Sequence, residues 1–209
     1  MGHTERFTYG ARLTLSIFMT NALALFDLDH TITTKDTFID FVKYSVGSMR
    51  FAWGIFLLSP FLALYALGLV SRSAAKEHVI SFFFKGWNYD LFREYALRYS
   101  SDKITYILKP DIMNRLSWHK SRGHRIAIVT ASLEDYLEGW CNSIGVELIG
   151  TKIEVLSSRI TGHLLTKNCY GAEKVARIME RYDLSKFDAV YAYGDNKKDK
   201  EMLALATTA

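Results

Sequence analysis

The chain has 209 residues, which is enough for one substantial hydrophobic core with a smaller inserted domain. Hydrophobic residues make up 49% and charged residues 23%, and this composition excludes a disordered chain. The net charge of +4 comes without a dense run of lysine or arginine, so we expect no nucleic-acid partner. Cys141 and Cys169 are too few for a disulfide framework and favour reduced thiols in a cytoplasmic protein.

Residues 1–19 are predicted to be an N-terminal extension ahead of the first strand. The apolar run 13–26 superficially resembles a signal peptide. Cleavage within it would remove the strand that carries Asp27, which argues against a signal peptide. Two translation starts stay open, Met1 and Met19.

The first predicted strand runs directly into two aspartates. In "ALALFDLDHTITTKDT", Ala22 to Phe26 is a short apolar strand, Asp27 and Asp29 follow it, and Thr31 comes next. Burying carboxylates at a strand end is costly unless something neutralises them. The segment therefore predicts a site at which other groups offset the charge of this pair.

A long helix-rich stretch, residues 36–109, separates the first predicted strand from the second. Its apolar residues recur with helical spacing. The stretch is too long for an ordinary crossover, so we interpret it as an inserted helical cap domain. The core would then be formed by residues 20–35 together with residues 110–209.

Within this stretch, residues 51–71 form a run of 21 residues without a charge, flanked by Arg50 and Arg72. The run is long enough to cross a bilayer. A full span would put the two halves of one domain on opposite sides of the membrane, which the order of the motifs forbids. Two interpretations stay open. One is a buried hairpin broken at Pro60, and the other is a cap surface that contacts a membrane.

The second half of the chain alternates strands and helices. This alternation predicts a parallel sheet with helices on both faces. A turn near Ser157 to Arg159 separates two further short strands. The main predicted strands are "RIAIVTAS" and "DAVYAYGD", and the helices are "LEDYLEGWCNSIG", "GAEKVARIMERY" and "KKDKEMLALA".

Polar side chains lie at the predicted strand ends, where ligands bind in open parallel sheets. Carboxylates that converge without histidine or cysteine suit a hard cation, most commonly Mg²⁺. Such a cation would offset the repulsion among the acidic groups. The converging residues are Asp27, Asp29, Thr130, Ser132, Asp195 and Asp199, with Lys174 at the start of the helix before the last strand.

These groups suit phosphoryl transfer. A carboxylate can attack phosphorus and give an aspartyl-phosphate, which water later removes. Asp29 could protonate the leaving oxygen and then deprotonate the attacking water. The metal and Lys174 would offset the charge of the phosphoryl group, while Thr130 and nearby backbone N–H groups would hold its oxygens.

Four segments in order resemble the motifs of the haloacid-dehalogenase-like (HAD) hydrolase superfamily: "FDLDHT", "IAIVTAS", Lys174 in "YGAEKVARI", and "YGDNKKDKEML". The arrangement is most similar to the phosphoserine-phosphatase-like branch, subfamily IB, over about residues 22–206. The resemblance implies an α/β fold with a Rossmann-like three-layer parallel sheet core and an inserted all-helical cap. It also implies a Mg²⁺-dependent phosphomonoesterase.

The resemblance gives each matched residue a role. Asp27 would be the nucleophile and Asp29 the acid/base. Mg²⁺ would be held by Asp27, by Asp29 through its backbone carbonyl, and by Asp195, with Asp199 in support. The residues implied to contact substrate or phosphate are Thr31, Asp36, Thr130, Ala131 and Lys174.

The sequence also departs from members that hydrolyse phosphoserine. Lys198 stands where they usually carry asparagine, and Asp36 stands where they use glutamate to hold the substrate's amino group. No arginine clearly matches the one in their cap that binds the substrate carboxylate. The chain ends at Ala209, where family members usually continue with another strand. The substitutions argue against phosphoserine as the substrate.

Three functions stay open. The first is a cytoplasmic phosphatase of a small soluble phosphomonoester. The second is a phosphatase of a lipid phosphate, with a cap that makes peripheral contact with the membrane. The third is a catalytically silent binding module, against which the intact set of acidic and basic residues argues.

Overall fold

The structure, a computed structural model, describes residues 21–195 and 197–207. The predicted N-terminal extension and both translation starts lie outside the described residues. The strands are Ala22–Phe26 (β1), Arg125–Leu133 (β2), Glu147–Thr151 (β3), Ile153–Leu156 (β4), Arg159–Leu164 (β5) and Ala189–Tyr193 (β6). The α-helices are Thr37–Val46 (α1), Ser48–Ala66 (α2), Arg72–Phe84 (α3), Tyr89–Asp102 (α4), Pro110–Ser121 (α5), Glu138–Ser143 (α6), Ala172–Arg181 (α7) and Lys200–Leu203 (α8).

Four strands form a parallel sheet in the order β3-β2-β1-β6. The chain adds β2 and β3 on one side of β1 and then returns to place β6 on the other side. This reversal opens a crevice at the carboxyl ends of β1 and β6, where such folds bind their ligands. The remaining strands, β4 and β5, form an antiparallel hairpin with the predicted turn, in which Ser157 and Ser158 have φ values of 48° and 59°.

The parallel sheet is the middle of three layers. Alternate residues of β1 face two different apolar clusters: Ala24 and Phe26 belong to one, and Leu23 and Leu25 to the other. Helices α5 and α6 contribute to the first cluster, and α7 and α8 contribute to the second. The predicted α/β fold with a parallel sheet core is therefore confirmed.

Between β1 and β2 the chain is helical, as predicted, with α1 to α4 and a short 3-10 helix at Ile104–Ile107. Phe41 of α1 stacks on Tyr136 with ring centres 4.5 Å apart and meets Phe92 and Tyr99 edge-on at 5.4 Å. Because Tyr136 follows β2, the apolar cluster on this face of the sheet continues into the inserted helices. The division into core and cap domains stays a prediction.

The structure of α2 shows that the predicted hairpin broken at Pro60 is wrong. One 19-residue helix continues through the proline, and only Gly54 and Leu58 on it are buried. Pro60 has no N–H for the carbonyl of Phe56 one turn earlier. The Ser59 hydroxyl donates to that carbonyl instead, at 2.7 Å. The helix therefore persists past its proline, and most of its apolar surface is exposed.

Candidate active site

The candidate site lies where β1 and β6 end. The backbone N–H of Asp27 donates to the carbonyl of Tyr193 at 2.8 Å, which fixes the aspartate as the chain leaves the sheet. Asp27 is only 3% exposed. The hydroxyl of Thr31 lies 3.1 Å from Asp27 Oδ2 and 3.2 Å from Asp195 Oδ1. The loop after β1 thus connects the acidic groups of the two strand ends.

A buried ammonium lies between two buried carboxylates. Lys174, in the first turn of α7, donates to Asp27 Oδ1 at 2.5 Å and to Asp199 Oδ1 at 2.7 Å. Burial acts to lower the pKa of Lys174, but the two carboxylates outweigh it and hold the pKa above its usual value. Burial raises the pKa of Asp27, and Lys174 offsets this only in part. One ammonium against two carboxylates leaves the cluster with a net negative charge.

The geometry of the acidic groups fits a divalent cation. Asp27, Asp195 and Asp199 each bring one carboxylate oxygen to within 4.8 Å of the others. The second oxygen of Asp199, Oδ2, is buried without a hydrogen-bond partner among the described residues. Such an oxygen is costly to leave unsatisfied, and an all-oxygen donor set suits Mg²⁺. Gly194 makes room for this arrangement, because a Cβ there would overlap the side chain of Asp199.

The carboxylate of Asp29 is held at a different place. Its Oδ1 accepts from the backbone N–H of Thr37 at 2.7 Å and from the Thr37 hydroxyl at 2.6 Å, and its Oδ2 accepts from the Ser132 hydroxyl at 2.7 Å. The Asp29 carboxylate therefore does not join the carboxylates of Asp27, Asp195 and Asp199. The backbone carbonyl of Asp29 stays the predicted metal ligand. Sequence reasoning gave Thr37 no role, because no pattern places the start of α1 beside this loop.

Three other predicted residues lie nearby. Thr130 is fully buried in β2, and its hydroxyl accepts from the backbone N–H of Ser132 at 3.0 Å. The carbonyl of Ala131 accepts from the Thr151 hydroxyl at 2.8 Å. Asp36 is exposed, and its Oδ1 accepts from a backbone N–H in the first turn of α1, so it caps that helix. It also lines a cavity at the strand ends. The roles of these residues in substrate binding stay predictions.

A cavity of about 270 Å³ opens beside Asp27 and Asp29, and α3 brings two cations to it that sequence reasoning missed, Arg72 and Lys76. Lys76 donates to the carbonyl of Ala131 at 2.5 Å. Burial lowers the pKa of its ammonium to about 8. The sequence does show that the two cations are one helical turn apart and so share one face of α3. Only the packing of α3 places them beside the strand ends.

The family model for haloacid dehalogenase-like hydrolases matches residues 24–204. The chain belongs to this family. Protein CicA of Caulobacter vibrioides is 32% identical over 186 residues, which cover 88% of this chain and 82% of that protein. The predicted membership of the HAD superfamily is confirmed.

Solved structures show the same fold. A protein of unknown function from Bordetella pertussis Tohama I has a TM-score of 0.78 and 24% identity, over 90% of this chain and 88% of that chain. A phosphoserine phosphatase structure, described as a phospho-aspartyl intermediate analogue, has a TM-score of 0.56 and 18% identity, over 90% of this chain and 84% of that chain. These similarities confirm the fold expected for the predicted phosphoserine-phosphatase-like branch.

Cationic side chains line the cavity of this chain. Lys198, which departs from the pattern of phosphoserine-hydrolysing members, lines the cavity together with Arg72 and Lys76. Phe38, Leu62 and other apolar side chains form much of the remaining wall. The cavity therefore combines an acidic floor with cationic and apolar walls, which suits a ligand that is anionic at one end and apolar at the other.

Proposed function

We propose that this chain is a Mg²⁺-dependent phosphomonoesterase that acts through an aspartyl-phosphate on Asp27. The observation that supports the proposal most strongly is the buried cluster of Asp27, Lys174 and Asp199 beside Asp195. Asp27 and Lys174 of this cluster also line a cavity with cationic walls. The acids suit a divalent cation, and the cations suit a phosphate. The solved phosphatase described as a phospho-aspartyl analogue supports the same chemistry.

In the first step, a carboxylate oxygen of Asp27 attacks the phosphorus of the ester. The bond between phosphorus and the ester oxygen breaks, and the leaving oxygen takes a proton from the carboxylic acid form of Asp29. Asp29 lines the same cavity as Asp27, and its three hydrogen bonds to Thr37 and Ser132 hold it in one orientation. The products of this step are the free alcohol and the aspartyl-phosphate.

In the second step, water attacks the phosphorus of the aspartyl-phosphate and gives its proton to the Asp29 carboxylate. The bond between phosphorus and the Asp27 oxygen breaks, which releases inorganic phosphate and restores both side chains. Lys174 stays beside Asp27 and offsets negative charge as it builds up. When bound by Asp27, Asp195 and Asp199, Mg²⁺ supplies further positive charge against the phosphoryl oxygens.

The proposal includes a cytoplasmic location, because both cysteines are free and buried and neither needs an oxidising compartment. It does not favour phosphoserine as the substrate, because Lys198 adds a cation to the cavity, and the acid that lines it at position 36 is aspartate rather than the longer glutamate. The binding-module alternative has less support, because a protein without catalytic activity would not need Asp27, Asp29, Lys174 and Asp195 all to be retained.

The test compares Asp27→Asn with the matched variant Asp90→Asn, which changes an exposed aspartate in the first turn of α4. We expect Asp27→Asn to lose at least about a thousandfold in turnover of p-nitrophenyl phosphate with Mg²⁺, because the amide is a far weaker nucleophile. Asp90→Asn should keep wild-type turnover. Comparable rates for Asp27→Asn and wild type would overturn the proposal.

A further inference from the structure

Helix α2 carries an apolar surface that points away from the core. Its large side chains recur at helical spacing and are between 43% and 78% exposed. Single exposed apolar residues are ordinary, but a set on one side of one helix marks an interaction site. We call this set the α2 face; its members are Met49, Trp53, Phe56 and Leu57, Leu64 near the end of the helix, and Leu67 and Leu69 in the turn that follows.

The opposite side of α2 packs closely against α3. Gly54 and Leu58 are buried, and a Cβ on Gly54 would overlap the rings of Phe82 and Phe83 on α3. By length and composition α2 could cross a membrane. It continues at both ends, however, into helices that pack on the same core, α1 and α3. The helix can therefore lie on a bilayer surface but cannot cross it without unfolding the insertion.

The charged residues nearest in sequence to the α2 face are of one sign, and the first acidic residues on either side are Asp40 and Glu77. Residues 41–76 contain Lys43, Arg50, Arg72 and Lys76 and no aspartate or glutamate. The first three are exposed, and they flank the face at both ends. An apolar helix face bordered by cations complements the surface of an anionic bilayer, in which the cations meet lipid phosphates and the apolar side chains reach the acyl region.

The α2 face also borders the candidate active site. Leu62 and Tyr65, on the inward side of the same helix, line the cavity beside Asp27, and Arg72 lines it from the start of α3. A protein partner would need no such connection. A bilayer under the α2 face brings amphiphiles close to a cavity whose walls are partly apolar and partly cationic. The continuity of this surface with the cavity favours a lipid over another protein.

We propose that the α2 face docks on an anionic phospholipid bilayer, and that the phosphomonoester hydrolysed at Asp27 is the headgroup of a lipid held in that bilayer. The second half of this inference rests on the proposed phosphatase function. The apolar part of the substrate stays at the membrane surface and its phosphate reaches the cavity. The hydrolysis follows the two steps given above, with the lipid alcohol as the leaving group.

Vesicle flotation tests the docking. The full chain should float with vesicles of phosphatidylcholine and phosphatidylglycerol, more weakly with phosphatidylcholine alone, and salt should weaken the binding only in part. The double variant Leu57→Ser/Leu67→Ser should bind more than about tenfold more weakly, because it removes two apolar side chains from the face. The matched variant Leu91→Ser/Leu97→Ser, which changes two exposed leucines of α4, should float like wild type.

Two results would overturn the docking. One is wild-type protein that stays with the unbound fraction at low salt. The other is a concentration-dependent dimer that Leu57→Ser/Leu67→Ser disperses, without any vesicle binding, since this would identify the α2 face as an interface between copies of the chain.

Activity assays on a vesicle lipid and on a soluble substrate distinguish a failure of the docking from a failure of the proposed phosphatase function. With phosphatidic acid added to the vesicles, Leu57→Ser/Leu67→Ser should release phosphate more than about tenfold more slowly than wild type and should keep wild-type turnover of soluble p-nitrophenyl phosphate. Equal rates on the vesicle lipid would overturn the inference and leave the proposed phosphatase intact. Wild-type protein that floats but hydrolyses neither substrate would instead overturn the phosphatase and with it the lipid substrate, while the docking would stand.

Discussion

Lys174→Met removes the ammonium that lies between Asp27 and Asp199 and keeps a side chain of similar length. The side chains of Lys174, Asp27 and Asp199 are 2%, 4% and 0% exposed, so water has little access to solvate the carboxylates that lose their partner. Removing one partner of a buried ion pair costs about 3–5 kcal/mol, because the remaining charge is left uncompensated. Here two carboxylates lose the same partner, and we expect the free energy of unfolding to fall by about 4 kcal/mol in the presence of chelator.

Two features of this prediction follow from electrostatics. Mg²⁺ bound at the same carboxylates should restore part of the lost free energy of unfolding, because it supplies positive charge to them. The loss should also shrink between pH 7.5 and pH 5, since protonation of one carboxylate relieves the repulsion that the lysine had offset. Both effects should be absent in a variant that removes an exposed lysine.

Urea unfolding measures these changes, with Lys152→Met as the matched control. Lys152 lies 3.6 Å from Glu134 and its side chain is 55% exposed, so its loss should cost less than about 1 kcal/mol. A Lys174→Met protein as stable as Lys152→Met in chelator, and insensitive to Mg²⁺, would refute the electrostatic account of the buried cluster.

Three further predictions concern the metal, the packing of α2 and the response to pH. Asp195→Asn should raise the Mg²⁺ concentration needed for half-maximal turnover by about tenfold or more, and unchanged Mg²⁺ dependence would argue against its role as a ligand. Gly54→Val should lower the free energy of unfolding by about 2–3 kcal/mol through its clash with Phe83, whereas the exposed Ala52→Val should cost under about 1 kcal/mol, and equal costs would contradict the close packing of α2. Burial lowers the pKa of His119 to about 4, so the unfolded chain takes up the proton first as pH falls below about 6.5. Between pH 7.5 and pH 5 the free energy of unfolding of wild type should therefore fall by about 2 kcal/mol more than that of His119→Gln. Urea unfolding midpoints that fall equally in both proteins would refute this assignment.

The sheet and the strand-end groups could be predicted because their signals are local. The apolar run of β1 ends directly at Asp27, and the last strand ends just before Asp195. Once the strands are parallel, their carboxyl ends share one edge, and the convergence of the acidic groups follows. The close approach of Asp199 to Asp27 depends on the room that Gly194 leaves, which no sequence pattern reveals. The supporting role of Asp199 stays a prediction.

The inserted helices were less predictable, because their positions depend on packing between distant segments. The hydroxyl of Ser59 satisfies the carbonyl of Phe56 that Pro60 cannot reach, and α2 continues through the proline where the sequence pattern indicates a break. Hydropathy cannot distinguish a buried apolar helix from an exposed one, because both have the same composition. Likewise, Thr37 reaches Asp29 only because α1 begins beside the loop after β1.

The most direct test of the central claim is to trap the covalent intermediate. The full chain is mixed with p-nitrophenyl phosphate and Mg²⁺, quenched in acid within the first turnovers, digested and examined by mass spectrometry. We predict one added phosphoryl group on the peptide that contains Asp27, labile to hydroxylamine and absent from Asp27→Asn. The p-nitrophenolate leaving group needs little protonation, so the first step should still proceed in Asp29→Asn. Because that variant lacks the base for the second step, we also predict that it accumulates more of the adduct. Steady release of phosphate by wild type with no adduct on this peptide at any quench time, in either protein, would contradict the aspartyl-phosphate mechanism.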